Sequence, residues 1–425
     1  MIGRVLSLEE IAAHVRSGQL EPAELVEEAL SRARAAAALN AVVHLDENGA
    51  RAAAAWHDRK GPLAGVPVLV KEIIEVEGLP YRCGSAAMDE LGRHDADVVR
   101  RLHAAGAIVI GLSHSHEFAY GCTGTSNRAG PCRNPHDPER MTGGSSSGAG
   151  AAVAAGVVPL AIGTDTAGSV RIPAALCGVV GFKPAYGTLP TDGVFPLAQS
   201  LDHVGVLTET VADAAYALAA LTNSMPTAPL AAPPRLGIVA GRSEYDAEVA
   251  EAWSAGLGRL QTAGATTEPV SLPDDITRTA IDLQGPEAVA NHAGRSTDTY
   301  QPDVQLRLKE AAEVPAWRYV QARRDTETIR AQVKAVLDRH DAVVLPTVPL
   351  VAPPISAVAD LSGSTAVRAQ LMRNTRLANL TGFPAITLPL PVRGLPVGLQ
   401  VIAKDNETAA ATAGWIAGRL AAAKG

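Results

Sequence analysis

The sequence predicts an α/β protein, a mainly parallel or mixed sheet covered by helices. Three observations carry this prediction. Short β-branched apolar runs alternate with segments of helical apolar spacing, as in "VPVLVKEII" (66–74), "DADVVRRLHAAG" (95–106) and "AIVIGLS" (107–113). A hydrophobic content of 47% against 19% charged residues leaves apolar surface for a sizeable core and excludes a disordered chain. No internal repeat and no low-complexity linker divides the 425 residues, a length that suits one large α/β domain or about two to three ordinary ones.

The elements follow in order. At the N-terminus, Leu8, Ile11 and Val15, then Leu25, Ala29 and Leu30, recur at helical spacing. Ser7 with Glu10 forms a capping-box pattern, and Gly18 breaks the segment, so two helices are expected within 7–37. "VPVLVKEIIEVEG" (66–78) reads as a buried strand with Lys71 in its middle or at its end. A helix closed by Gly106 and a strand over 107–113 come next. Beyond "GGSSSGAG" (143–150), Ser146 or Ser147 can cap a helix over 148–156. "VVPLAIGTD" (157–165) is then a strand, "TAGS" (166–169) a loop, and "VVGFKP" (179–184) a continuation of the sheet. The middle holds helices at 210–222 and 318–340 and one clear strand at "RLGIVAG" (235–241). The end returns to strands at 341–347, 384–390 and 394–403. The Pro-rich patch 225–237 is the sole candidate boundary and reads as a loop within one domain. The chain thus divides into N-terminal helices (7–37), a core (about 60–210), a middle region (about 220–340) and C-terminal strands (341–403).

Composition narrows the function. A formal charge of −7 without a Lys/Arg-rich run offers no footprint for nucleic acid and suits a small substrate. Cys83, Cys122, Cys132 and Cys177 contain no CxxC pair, as expected of reduced, buried thiols in a cytoplasmic protein. The charged N-terminus lacks the apolar stretch of a secretory signal. The longest nearly uncharged run, 141–164, contains Pro159 and many Gly and Ser, which makes it a poor membrane helix and a good core segment.

Three features can carry chemistry. Lys71 sits among aliphatic residues, where an unpaired charge is costly; it either reaches solvent at an edge, pairs, or sits neutral. A neutral lysine is a competent base. On a strand, the adjacent Glu72 points to the opposite face. The loop "GTDTAGSVRIP" (163–173) is either an ordinary turn or a place where backbone N–H groups converge beside Ser169, as an oxyanion site requires. Ser145 precedes Ser169 by 24 positions. That interval accommodates one helix and one strand, which return the chain to the same sheet end and allow a Ser–Ser–Lys relay.

With these residues in view, the chain resembles the amidase signature family. The resemblance rests on "PLAGVPVLVKEIIEVEGLP", "GGSSSGAGAAVAAGVVPLAIGTDTAGSVRIPAALCGVVGFKPAYG", "SLDHVGVLTETVADAA" and "NLTGFPAITLPLPVRGLPVGLQVIA", and spans the chain from the N-terminal helices to about residue 403. It implies a single domain around a large mixed sheet with helices on both faces. It also implies an amide hydrolase without metal or organic cofactor. By the same resemblance Lys71 is the general base, Ser145 the bridging serine on a cis peptide bond, and Ser169 the nucleophile. The N–H groups of Thr166, Ala167, Gly168 and Ser169 form the oxyanion hole, Glu117 and Tyr120 wall the acyl pocket, and Trp317 and Tyr319 in the middle region close it. A small-molecule amide is the expected partner, with no nucleic acid and no membrane, and a homodimer is allowed.

Three positions depart from the family pattern: Ala167 where a glycine is usual, Glu72 where aspartate is common, and Ser147 where glycine is common. An alanine keeps its N–H donor provided its φ is negative. Competing readings are weaker. Gly144-Ser145-Ser146-Ser147-Gly148 matches a GxSxG elbow centred on Ser146, but 131–142 does not read as a strand, and Asp202-His203 suits a triad poorly. His114-x-His116 has no accompanying metal motif, and His116 and His136 read as loop histidines. An amidotransferase subunit on the same fold would carry glutamine where this chain has Ile172, and an allophanate- or carbamate-type hydrolase is a further variant.

Overall fold

The structure is a computed structural model that describes residues 6–239, 244–273 and 276–421. In chain order its strands are β1 (Val42–Leu45), β2 (Pro67–Lys71), β3 (Pro80–Tyr81), β4 (Glu90–Leu91), β5 (Ile108–Ser113), β6 (Arg133–Asn134), β7 (Asp137–Met141) and β8 (Leu160–Asp165). There follow β9 (Val180–Lys183), β10 (His203–Thr208), β11 (Arg235–Val239), β12 (Thr266–Val270), β13 (Ala342–Pro346), β14 (Ala385–Pro389) and β15 (Gly398–Ile402). Eleven of them form one sheet in the order β1-β5-β2-β8-β10-β9-β14-β15-β13-β11-β12. The sheet is mixed: β2 runs parallel to both β5 and β8, and β11 parallel to both β12 and β13, while β8, β10, β9, β14 and β15 follow one another antiparallel.

The three-layer arrangement follows from side-chain alternation. Along β2, Val68 and Val70 enter one apolar cluster and Leu69 the cluster on the opposite face. Along β8, Leu160 and Ile162 part from Ala161 in the same way. Both faces are therefore covered, which is why these strands read as continuous apolar runs.

The N-terminal helix Leu8–Ser17 carries the predicted capping box, with Ser7 and Glu10 bonded reciprocally, and ends at a left-handed Gly18. The Pro-rich patch is a loop leading into β11, and β11 pairs within the same sheet, so the chain is one domain. Ala240 and Gly241 of the predicted strand lie outside the described residues. One expectation fails. Residues 131–142 do form strands, β6 and β7, but these pair with each other as a hairpin off the main sheet, with one further bridge from Arg140 to Pro354.

Candidate active site

The parallel strands β2 and β8 lie side by side, and their carboxyl ends meet at Lys71, Thr164 and Asp165, the edge where α/β sheets place ligands. Lys71 is the last residue of β2 and is wholly buried. Its Nζ lies 2.6 Å from Ser145 Oγ and 2.8 Å from Thr164 Oγ1. Of the three outcomes open to this lysine, solvent is ruled out by burial, and two hydroxyls take the place of an ion pair. Burial lowers its pKa from the usual 10.5 to about 7, against the opposing pull of Asp165, Asp202 and Glu72. Glu72 turns the other way, accepting from the N–H groups of Gly84 and Ser115 and the Asn127 amide. Burial raises its carboxyl pKa.

The serine stretch is a close-packed turn rather than a linker. The Gly144–Ser145 peptide is cis. The Ser145 carbonyl accepts from His116 N–H at 3.0 Å and from the Ser147 hydroxyl at 3.2 Å. The helix Ser147–Ala154 begins here with Ser146 at its N-cap position, yet the Ser146 hydroxyl does not cap it. That hydroxyl donates to the Thr164 carbonyl and accepts from Thr164 N–H, tying the turn to β8. This arrangement also disposes of Ser146 as an elbow nucleophile, since no histidine shares its bonds. Gly148 is required for the approach: a Cβ there would stand 2.1 Å from the Ala41 carbonyl oxygen and 2.3 Å from His114 N.

The loop 166–169 is built on a buried ion pair. Asp165 and Arg171 are both fully buried and joined by two side-chain bonds, Nε–Oδ2 at 3.0 Å and Nη2–Oδ1 at 2.9 Å. Arg171 also donates to the Thr375 carbonyl, Gln400 and Asn379, and Asn379 donates back to Asp165. Burial alone would raise the Asp165 pKa; Arg171, with Lys183 and Asn379, holds it well below the usual carboxylate range. Thr375 closes the loop from outside, its hydroxyl 2.5 Å from the Ala167 carbonyl. Asp202 holds the Thr166 hydroxyl at 2.6 Å, and burial pushes its own pKa up to about 7.

This network already engages one of the expected oxyanion donors. The N–H of Gly168 is bonded to Asp165 Oδ1 at 2.8 Å, because the carboxylate folds the turn back onto itself. Among the described residues no backbone hydrogen bond engages the N–H groups of Thr166, Ala167 or Ser169, and these three remain. Ala167 is absent from the residues of positive φ, so its departure from glycine leaves its N–H usable. Ser169 is buried; its carbonyl accepts from Ser146 N–H at 3.1 Å, while its hydroxyl makes no hydrogen bond to another described residue. Ser146 thus ties the serine turn to Ser169 through the backbone, and the hydroxyl-to-hydroxyl link of the expected relay is not made here.

The substrate-side expectations fare unevenly. Glu117 is fully buried and accepts from Gln301 N–H at 2.6 Å; burial raises its pKa to about 7. Tyr120 is buried beneath the Arg307 guanidinium, 5.5 Å from its ring centroid. The loop between them turns on Phe118, whose ring packs 4.7–4.9 Å from Phe195, His292 and Tyr300. Trp317 does not close a pocket over the serines. It is 69% exposed and borders a depression with Arg278, Asp282 and Arg318 that contains no serine-site residue. Tyr319 is tied to Glu287 at 3.1 Å. His116 meets Asp303 and Arg307 rather than a metal cluster, and His136 bonds the Cys177 carbonyl.

Residue-by-residue reading missed Thr164, Asp165, Arg171, Thr375, Asn379 and Gln400. A signal did exist for two of them: Asp165 and Arg171 are the sole charged residues between Arg140 and Lys183. In so apolar a stretch, opposite charges six apart have to find each other.

Comparison with known proteins agrees with this geometry. The amidase family model matches residues 24–409. The chain is 37% identical to 2-amino-5-chloromuconic acid deaminase of Comamonas testosteroni, over 93% of this chain and 92% of that protein. It is 33% identical to indoleacetamide hydrolase of Pseudomonas savastanoi, again over 93% and 92%. A crystal structure of an amidase superposes with a TM-score of 0.91 at 35% identity, covering 98% of this chain and 100% of that one. Matched along almost its whole length in sequence and in fold, the chain belongs to the amidase family, enzymes that hydrolyse amide carbon–nitrogen bonds.

Proposed function

We propose that the protein hydrolyses a small amide through Ser169, with Ser145 and Lys71 as its proton relay. The observation that carries the reading is the 2.6 Å approach of a fully buried lysine nitrogen to Ser145 Oγ. Neutral Lys71 draws the proton of Ser145 as Ser145 takes that of Ser169, and Ser169 Oγ bonds to the amide carbonyl carbon. The tetrahedral oxyanion accepts hydrogen bonds from the free N–H groups of the 166–169 loop. The carbon–nitrogen bond then breaks, the relay returns a proton to the leaving nitrogen, and water cleaves the acyl-enzyme by the reverse path. The Ser169 hydroxyl has no protein partner to give up, and the missing Ser145 contact is of the kind that tightens once substrate is bound.

The relatives reported above are named for an aminochloromuconic acid, which is anionic, and for indoleacetamide, a neutral amide. This enzyme works as a free-standing hydrolase, alone or as a homodimer; Ile172 supports this, lying wholly buried where an amidotransferase subunit would carry glutamine. Four buried, unpaired cysteines suit a cytoplasmic site of action, and no described helix is long and apolar enough to cross a membrane. The test is mutagenesis with acyl-enzyme trapping. Ser169→Ala and Lys71→Ala each lose about three decades of kcat or more, and Ser145→Ala somewhat less because water replaces a hydroxyl in part. Mass spectrometry of the quenched wild type finds the acyl group on Ser169. Full activity in Ser169→Ala or Lys71→Ala ends the proposal.

A further inference from the structure

Behind the oxyanion loop lies a concentration of positive charge that catalysis by the serines does not use. Arg307 and Arg376 are buried, and Arg368 is half-buried with its Nε shut off from water. All three lie near enough to the Cys122 thiol to oppose the burial that pushes its pKa up to about 11. Arg307 stands over the Tyr120 ring, Cys122 Sγ reaches the Arg368 carbonyl at 3.9 Å, and Arg376 Nη2 meets the Met372 sulfur at 3.9 Å. Cys122, Met372 and Ala167 share one apolar cluster, and the segment Cys122–Gly124 lies directly against Gly144. The charge is therefore one layer of packing from both Ser145 and the oxyanion loop.

The negative side of this region is thin. Asp303 is the carboxylate that pairs here, bonded to Arg307 and to His116 at 3.1 Å. Glu117 faces the same groups, but burial pushes its carboxyl toward the neutral form. Glu310, also near Tyr120, is on the exposed surface. Among the described residues no carboxylate bonds Arg368 or Arg376. The Nε atoms of Arg307, Arg368 and Arg376 are all buried without a hydrogen-bond partner, and so is Asp303 Oδ1. Burial and the two neighbouring arginines lower the Arg368 pKa to about 10. Arg376 is the buried charge without a carboxylate, and a folded protein does not readily hold guanidinium charge out of water without a counter-ion, because the desolvation cost is several kcal/mol per charge. Beside the cluster opens a cavity of about 680 Å³ bordered by Asp303, Gln301, Thr125, Ser364, the last one helical turn before Arg368, and Asp360, whose carboxylate caps that helix by accepting from Gly363 N–H.

We propose that the counter-ion is a carboxylate of the substrate: Arg368 and Arg376, flanked by the Asp303-paired Arg307, receive the far end of an amide whose acyl chain terminates in an acid. The natural substrate class is thus the half-amide of a dicarboxylic acid. This inference rests on the amide-hydrolase reading above. Planar guanidinium forks suit a carboxylate in two-point contact.

The test compares succinamate, glutaramate and adipamate with neutral amides of the same shape, in which an isopropyl group replaces the carboxylate. At least one acid is expected to exceed its neutral counterpart at least 100-fold in kcat/KM, mostly through KM. That ratio falls at least tenfold in Arg368→Gln and in Arg376→Gln, while Arg368→Lys, which keeps the charge without the fork, retains an intermediate ratio. Circular dichroism and melting establish that each variant is folded. Calorimetry on the catalytically silent Ser169→Ala protein gives a readout free of turnover: succinate, glutarate or adipate binds, and binding is lost on adding Arg368→Gln. Neutral amides cleaved as well as the acids, or no dicarboxylate bound at 10 mM, overturns the inference and leaves the hydrolase reading standing. Loss of the Ser169 requirement overturns the hydrolase reading instead.

Discussion

Lys71 has no route to water, so its protonation is decided by the side chains around it. With a pKa near 7, the amine is half-protonated at neutrality, as the proposed base requires. Hydrolysis is expected to rise with pH through about 7 as Nζ loses its proton; a flat pH–rate profile from about pH 5 to 9 contradicts the relay. Thr164, which the sequence did not single out, sharpens the test. Its hydroxyl oxygen, 2.8 Å from Nζ, accepts from the ammonium form and so favours the charged state. Thr164→Val removes that support and leaves burial opposed by Ser145 and the carboxylates of Asp165, Asp202 and Glu72. The Lys71 pKa therefore falls further, and the rising limb of the profile moves to lower pH. A midpoint that stays in place or moves upward refutes this role for Thr164.

At the scale of elements, the loop 166–169 takes its shape from the ion pair between the end of β8 and the helix Arg171–Cys177. Removing one partner leaves the other charge buried and uncompensated, a cost of about 3–5 kcal/mol. Arg171→Met is expected to lose that much stability in urea unfolding and to lose turnover with it, since Asp165 also holds the turn through the N–H groups of Gly168 and Val170. Gly168 tests the loop with less damage to the fold. Its φ of +124° disfavours any side chain, and a Cβ there would lie 2.3 Å from Thr375 Oγ1. Gly168→Ala should lower kcat about a hundredfold by shifting the neighbouring donors, with a far smaller change in melting temperature than Arg171→Met. An active Gly168→Ala enzyme would show that the loop donors are not critically placed.

Across the whole molecule, burial of Lys71 couples folding to pH. The unfolded chain holds this proton up to about pH 10.5 while the folded protein releases it near 7, so between those limits the unfolded state binds more protons and stability rises with pH. A single such group contributes a slope of up to about 1.4 kcal/mol per pH unit. Asp202 and Glu117, both raised to about 7, act with the opposite sign below neutrality: there the folded state holds protons that the unfolded chain has released, and stability falls as pH rises toward 7. Lys71→Met isolates the lysine. The stability of wild type relative to this variant is expected to climb from pH 7 to 10 in denaturant titrations, and a difference independent of pH would mean that the amine is not neutral in the folded state.

By itself the sequence determined the alternation of strands and helices, a lysine in the middle or at the end of an apolar strand, and two serines spaced so that one helix and one strand return the chain to the same edge. These are properties of period and short separation, which local composition encodes. What only the tertiary structure decided is which hydrogen bonds those residues make. Gly168 spends its N–H on Asp165, and Ser146 ties β8 instead of capping its helix. Trp317 stays on the surface, and Arg171 is completed by Gln400, 229 positions away. Such partners are fixed by the burial of opposite charges and unpaired donors from distant segments in one dry place. No repeat or spacing in a linear pattern records that convergence.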